Sequence, residues 1–238
     1  MCKKYKHSFM DIEQFARSVI LYNEYGRTLS DFEKHIEDAS RMLVKKYVSP
    51  DMKVLELGAR YGSVSVYIDK LLHDAKLQQV SVEPDLKVQT ALQSNKDSNS
   101  CSFNIYNGTI SKKELFMTYN GCGWENKTYT VPPPNLESRK INTISLDQLQ
   151  NQYNIQFNCL VADCEGFLLE FLTDNMEFLD QLDVIIYEED CSASHPINNT
   201  FIDYDLIREI LLSKKFELKE NIVDNIGLNN KCWIKPKA

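Results

Sequence analysis

Residues 54–67 read VLELGARYGSVSVY, and this stretch decides the fold of the 238-residue chain. Its apolar start includes the acid Glu56, turns through Gly58 and Gly62, and continues with helical spacing. A second apolar run follows and ends in Glu83. Glycines let a backbone approach a ligand closely, and an acid after the second strand can accept hydrogen bonds from a ribose diol. The order therefore predicts a nucleotide-type α/β site.

The glycine spacing narrows the choice of ligand. The dinucleotide pattern Gly-x-Gly-x-x-Gly is absent from this turn, whereas Glu-x-Gly-x-x-x-Gly is present over residues 56–62. That spacing suits S-adenosylmethionine (SAM), which has no pyrophosphate to place at a helix N-terminus. The turn predicts a SAM-dependent methyltransferase and disfavours a nicotinamide oxidoreductase.

Composition and charge exclude several classes of protein. A hydrophobic content of 43% supports a substantial core, and the net charge of −7 argues against nucleic acid as a partner. No apolar run reaches the length of about 18 residues that a membrane span needs, and residues 1–15 lack the apolar core of a signal peptide. Seven cysteines without a Cys-x-x-Cys motif indicate a reducing compartment. We expect a cytoplasmic protein that does not associate with membranes.

Strand and helix patterns alternate along most of the chain. This alternation predicts an α/β fold, a Rossmann-like doubly wound, mostly parallel seven-stranded sheet. Two helices, over residues 11–25 and 30–47, precede the first strand, and residues 214–236 predict a terminal antiparallel hairpin. The pattern lapses over residues 111–140, where we expect a long loop without regular structure.

The predicted domain organisation follows from the first break in the pattern. Ser49, Pro50 and Asp51 separate the N-terminal helices from the first strand. We therefore predict an N-terminal helical cap over residues 1–50 and a methyltransferase domain over residues 51–238.

Acids lie at or near the ends of four predicted strands: Glu56, Glu83, Asp163 and the pair Glu188 and Glu189. Ligands of open parallel sheets bind outside the carboxyl ends of the strands, so these acids mark the expected site. Asp163 either caps the following helix or has a catalytic or metal-binding role. Adjacent carboxylates after the fifth strand repel each other unless a positive group compensates them.

These motifs together resemble the FkbM family of SAM-dependent methyltransferases over residues 54–190. The resemblance rests on four segments in order: ELGARYG at 56–62, VEP at 82–84, SLD at 145–147 and DCEG at 163–166. It implies O-methylation of a hydroxyl on a sugar, a glycan or a similar small oxygenated acceptor. The chain departs from the family pattern at Arg60, Ala162 and Leu168, where the family often has Asn, Lys and Glu.

The resemblance also implies which residues hold the cofactor. Gly58 and Gly62 would pass beneath the methionine and ribose of SAM, Glu83 would bind the ribose hydroxyls, and adenine would lie near residues 107–110. The full set of predicted cofactor-binding residues is Glu56, Gly58, Ala59, Tyr61, Gly62, Ser63, Glu83, Pro84, Asn107, Gly108, Thr109 and Asp163.

Methyl transfer to a hydroxyl benefits from a base that takes the hydroxyl proton. The predicted catalytic residues are Asp163, Glu165, Glu189 and His195. Trp124 and Glu188 are the predicted substrate-binding residues, with Trp124 either stacking on a sugar face or anchoring its own loop. We predict no metal, and the alternative is Mg²⁺ held by Asp163, Glu189 and Asp190.

Other functions would use the same predicted SAM-binding site. A methyltransferase acting on a protein or nucleic acid and a non-catalytic SAM-binding module are the alternatives to the small-molecule or glycan acceptor. The Asn/Asp-Pro-Pro-aromatic motif of amine and base methylation is absent from the fourth strand end, where residues 163–166 read DCEG.

Overall fold

A computed structural model describes residues 11–118, 127–164, 166–189 and 202–236. The chain forms one large sheet, two small ones and helices on both faces of the large sheet. The strands are β1 Val54–Leu57, β2 Gln79–Glu83, β3 Asn104–Asn107, β4 Thr109–Ile110, β5 Leu115–Thr118, β6 Lys127–Tyr129, β7 Ser138–Ile141, β8 Thr143–Ile144, β9 Cys159–Ala162, β10 Val184–Glu189, β11 Glu217–Val223 and β12 Asn229–Ile234. The α-helices are α1 Ile12–Ser18, α2 Asp31–His35, α3 Asp38–Tyr47, α4 Ser63–Leu71, α5 Ala75–Gln78, α6 Leu86–Ser98, α7 Leu146–Tyr153, α8 Leu168–Asp174 and α9 Tyr204–Ser213.

The large sheet has seven strands in the order β3-β2-β1-β9-β10-β12-β11. Strands β3, β2, β1, β9 and β10 pair in parallel, whereas β12 runs antiparallel to both β10 and β11. The predicted fold class and its terminal reversed hairpin are therefore confirmed. Chain order reverses at β1, because successive strands are added on one side of β1 up to β3 and on the other side from β9 onward. A crevice opens at such a switch point.

Side chains of the parallel strands alternate between two apolar cores, as strand geometry requires. On β1, Val54 belongs to the core beneath α1, α3, α4 and α6, while Leu55 and Leu57 belong to the core beneath α7, α8 and α9. Both cores contain fully buried residues from the central strands, such as Cys159 in the first and Leu160 in the second. The sheet is therefore covered on both faces, which explains the short apolar strands of the sequence.

The N-terminal region differs in detail from its prediction. Helix α1 ends at Ser18, so the helix expected to reach Tyr25 is wrong beyond that point, and Val19 is already extended. The side chain of Asn95 on α6 binds the backbone of Tyr22 instead, accepting from its nitrogen at 2.7 Å and donating to its oxygen at 2.9 Å. A tertiary contact thus takes the place of the helical hydrogen bonds.

The second predicted N-terminal helix starts where expected but is divided. Ser30 and Glu33 form the predicted capping box, and α2 ends at His35 before α3 begins at Asp38. Helix α3 packs against α4, β10 and β12. Helix α3 shares an apolar core with the large sheet. The division of the chain into two domains at residue 50 stays a prediction.

The expected loop over residues 111–140 is wrong in part, because it contains strands. Strands β6, β5 and β7 form a three-stranded antiparallel sheet in that order. Three buried residues of this sheet belong to the second core: Leu115, Met117 and Ile141. Their apolar contacts explain why the segment is regular despite the glycines and prolines around it.

Among the helices of the described segments, none combines the length and apolar character that crossing a bilayer requires.

Strands β1 and β9 approach each other very closely where they end. Gly58 has a left-handed backbone (φ +84°), and a Cβ there would lie 1.5 Å from the carbonyl oxygen of Asp163. Gly227 in the hairpin turn is equally left-handed (φ +93°), but a Cβ there would meet no atom within 4 Å. Alanine substitutions at these two glycines therefore separate the cost of backbone strain from the cost of a steric clash.

We expect Gly227→Ala to lose about 1 kcal/mol of stability from backbone strain alone, and Gly58→Ala to lose at least about 2 kcal/mol more from the clash. Urea unfolding of both variants measures the difference. Equal losses in the two variants would contradict the close approach of β1 and β9.

Candidate functional site

A cleft of about 490 Å³, including its open mouth, lies at the carboxyl ends of β1 and β9. One wall is the turn between β1 and α4, and the floor includes Val161 and Asp163 at the end of β9. The opposite wall comes from the N-terminal region, and its residues are Leu29, Glu33, Glu37 and Ser40. The cleft therefore occupies the switch point of the sheet, where ligands of such folds bind.

Backbone hydrogen bonds hold the turn after β1 in place. The nitrogens of Gly58 and Ala59 both donate to the carbonyl of Val82 on β2, at 3.0 and 3.1 Å. Gly62 is left-handed (φ +80°), and a Cβ there would lie 2.7 Å from Leu92 of α6. The second predicted glycine is therefore needed for the turn to pack beside α6.

Glu83 lies at the end of β2 with both carboxylate oxygens directed at the turns around it. The backbone nitrogen of Arg60 donates to Oε2 and that of Asp85 to Oε1, each at 2.7 Å. Burial raises the pKa of Glu83 to about 7, and these two hydrogen bonds oppose the rise. Each oxygen keeps a second lone pair that could accept from a ribose diol, but Glu83 does not itself line the cleft, so this contact stays a prediction.

Glu56 is also buried, and it lies beneath α4 at the edge of the cleft. Its Oε2 accepts from Ser65 at 2.6 Å and from Ser81 at 2.5 Å, and Gln79 donates to Ser81 at 3.1 Å. Burial raises the pKa of Glu56 to about 7, although the two serine hydroxyls lower it. Its position is that of a structural acid behind the turn, with one edge on the cleft.

Three further predicted cofactor residues are held by partners outside the predicted set. The hydroxyl of Tyr61 donates to Glu24, and the hydroxyl of Ser63 accepts from the fully buried Arg41 of α3. Arg139 of β7 donates to the carbonyl of Pro84 at 2.9 Å. These contacts tie the cleft walls to the N-terminal region and to the small sheet.

The predicted adenine residues lie at the end of β3, beside Glu83. The nitrogen of Gly108 donates to the carbonyl of Glu83 at 3.1 Å, and that of Thr109 donates to Asn142 at 2.9 Å. Asn107 is exposed and Thr109 is buried. None of these three residues lines the cleft itself, so their contact with adenine stays a prediction.

Asp163 lines the cleft at the end of β9, and its backbone nitrogen donates to Leu57 at 2.9 Å. The alternative role as a helix cap is wrong, because α8 begins at Leu168 after Phe167, without a side-chain cap. Asp163 therefore lies at the cleft, and its catalytic role stays a prediction.

The two acids at the end of β10 lie on opposite faces of the sheet. Glu188 accepts from Asn230 at 3.2 Å, whereas Glu189 forms an ion pair with Lys231. Lys231 supplies the positive compensation that adjacent carboxylates need. Glu189 and Lys231 also line a second hollow of about 430 Å³, together with Tyr204 at the start of α9.

Four predicted residues lie outside the described part of the chain: Trp124, Glu165, Asp190 and His195. Among the residues that are described, no group of three or more His, Cys, Asp or Glu side chains could hold a metal ion. The catalytic, substrate and metal roles given to these four residues stay predictions.

The sequence reasoning missed the N-terminal wall of the cleft. Glu33, Glu37 and Arg41 recur every four residues, which places polar groups on one side of an otherwise apolar helical pattern. Glu33 and Glu37 line the cleft, and Arg41 binds its Ser63. The structure divides this stretch into α2 and α3, and no residue of α2 is buried, so the spacing alone does not predict the wall.

Comparison with solved structures supports the fold. An O-methyltransferase from Bacillus cereus, solved with S-adenosylhomocysteine (SAH), aligns over 87% of this chain and 82% of its own, with 14% identity and a TM-score of 0.50. The ribosomal protein L11 methylase of Lactobacillus delbrueckii subsp. bulgaricus aligns over 85% of this chain and 79% of its own, with 10% identity and a TM-score of 0.50. No protein-family model matches the chain, and no curated protein matches its sequence.

The chain therefore has a Rossmann-like fold, which these two methyltransferases share. The likeness extends to the fold and does not single out the FkbM family.

The buried acids make stability depend on pH. Folding keeps a proton on Glu56 at pH values where the unfolded chain has lost it, so stability falls as pH rises from 4.5 through about 7. We expect Glu56→Gln to reduce this pH-dependent loss of folding stability by up to about 3 kcal/mol. Thermal unfolding between about pH 5 and pH 8 measures it.

The control for this prediction is Glu217→Gln on β11, because the Glu217 side chain is exposed. That variant is expected to keep the pH dependence of the unmodified protein. An undiminished fall in stability for Glu56→Gln would contradict the burial of this carboxyl.

Proposed function

We propose that the protein is a SAM-dependent methyltransferase that binds SAM in the cleft at the ends of β1 and β9. The observation that carries this proposal is the position of Glu83, one strand away from the contact between Gly58 and Asp163. Backbone nitrogens on both sides orient its carboxylate, which suits a ribose diol. The methionine part of SAM would then lie toward Gly58 and Asp163.

The cleft fits this cofactor in its chemistry as well as its place. The turn after β1 begins with Gly58 and Ala59, whose small side chains let the backbone approach a ligand, while Arg60 and Tyr61 line the same cleft. SAM, when bound, supplies an activated methyl group on a sulfonium. The residues of this chain bind it, orient the acceptor and remove the acceptor proton, because in-line displacement depends mainly on positioning.

We propose O-methylation of a hydroxyl on a sugar, a glycan or a similar small acceptor. Asp163 is the favoured base among the described residues, since it lines the cleft, whereas Glu189 is engaged by Lys231. The hollow beside Tyr204 is the proposed acceptor site, and its polar and aromatic lining suits a hydroxylated ligand. Glu165 and His195 remain proposed partners of Asp163, with Trp124 and Glu188 as proposed acceptor contacts.

A protein acceptor is the second candidate, because the aligned L11 methylase is named for a ribosomal protein. A nucleic-acid acceptor also remains an alternative, although the net charge of −7 argues against tight binding of phosphates. Among the described residues, Cys101, Cys159 and Cys232 form no disulfide, which supports the proposal of a reducing, cytoplasmic location.

Cofactor binding is tested by calorimetric titration with SAM and SAH. We expect both to bind the unmodified protein, and Glu83→Ala to weaken both by roughly tenfold to a hundredfold, since a hydrogen bond to a charged group contributes about 1.5–3 kcal/mol. Glu170→Ala on α8, whose side chain pairs with Lys113, is the control and is expected to bind normally. A folded protein that binds neither compound would overturn the proposal.

Catalysis is tested by incubating the protein with SAM and panels of sugars, proteins and RNA. We expect methyl transfer to a hydroxylated small acceptor, and a loss of about 10²-fold or more in kcat for Asp163→Asn with SAM affinity retained. Transfer only to protein or RNA would replace the proposed acceptor. Tight SAM binding without transfer to any of the panels would favour the binding module.

A further inference from the structure

Glu37 is a cleft residue whose charge the proposed mechanism does not use. It lies between α2 and α3 and lines the N-terminal wall of the cleft, across from the turn that follows β1. Its influence reaches the sheet, because its charge contributes to the raised pKa of Glu56. Glu37 lines the same cleft as Gly58 at the end of β1, where the methionine part of SAM would lie.

The other acids around the cleft are already compensated. Glu33 pairs with Arg27 at 2.5 Å, and hydrogen bonds from Arg27 and Ser30 lower the pKa of Glu33 to about 2. Glu56 accepts from two serine hydroxyls behind the turn. Of the two acids on the N-terminal wall, Glu37 is thus the one for which the described residues form no ion pair.

Both arginines near Glu37 are engaged elsewhere. Arg41 donates to Asp38 at 2.5 Å and also to Ser63. Arg60 lies over the ring of Tyr61, with 4.7 Å from its guanidinium carbon to the ring centroid, and donates to the Tyr61 hydroxyl at 3.3 Å.

Charged groups of both signs face Glu37 from the surrounding elements. Burial raises the pKa of the Glu37 carboxyl, Arg41 and Arg60 lower it, and Asp224 and Asp38 raise it. The carboxylate form therefore lacks full compensation in the cleft. A positively charged ligand would supply what is missing, and a neutral one would not.

We propose that Glu37 recognises the positive charge at the methionine end of SAM, so that the cleft binds the sulfonium more tightly than the neutral thioether of SAH. This inference rests on the proposed function. Its consequence is weak product inhibition, because transfer of the methyl group removes the charge that Glu37 attracts. Glu37 is then a specificity residue supplied by the N-terminal region to the cofactor site.

The test is calorimetric titration of the full chain with SAM and with SAH at about pH 8. The unmodified protein is expected to prefer SAM on the order of tenfold. Glu37→Gln is expected to lose most of that preference, because the variant binds SAM more weakly while its affinity for SAH changes little. The matched control, Glu170→Gln, keeps the preference because Glu170 lies on α8 beside Lys113, away from the cleft.

An analogue with a protonated amine in place of the sulfonium provides a second measurement. It should follow SAM, and lose affinity in Glu37→Gln, if charge is what the residue recognises. Equal weakening of SAM and SAH would show that Glu37 only supports the wall and would overturn the inference. An unchanged preference in Glu37→Gln would do the same, whereas no binding of either compound to the folded protein would defeat the proposed function itself.

Discussion

Only hydrogen fits on the α-carbon at position 58, because the carbonyl of Asp163 occupies the place of a side chain. This contact brings the ends of β1 and β9 together and makes the chain turn sharply before α4. The same turn places the backbone nitrogen of Arg60 where it donates to the carboxylate of Glu83 on β2. The geometry of the cleft thus depends on one backbone contact between two central strands.

Two buried carboxylates at this point reduce the stability of the folded chain at neutral pH. Glu56 and Glu83 both have pKa values raised to about 7 by burial. Apolar residues would fill these positions at lower cost, and buried acids with shifted pKa values are concentrated at functional sites, which supports the proposed role of Glu83 in binding a ribose. Glu83 has the backbone partners and the place of a ribose acceptor, and Glu56 supports the turn from behind through Ser65 and Ser81.

The features that the sequence predicted are local ones. The apolar run that ends at Glu83 and the terminal hairpin depend on residues close together in the chain, and both agree with the structure. The end of α1 depends instead on Asn95, which lies far away in sequence and binds Tyr22. The N-terminal wall of the cleft is likewise tertiary, because Arg41 reaches across to the turn before α4. Such contacts leave no periodic trace in the sequence.

The most direct test of SAM binding in the cleft is a crystal structure of the protein with SAH. We expect the ribose hydroxyls on the carboxylate of Glu83 and the homocysteine end between Gly58, Asp163 and Glu37, with the turn after β1 unchanged. SAH bound elsewhere on the sheet, or bound in the cleft without contact to Glu83, would contradict it.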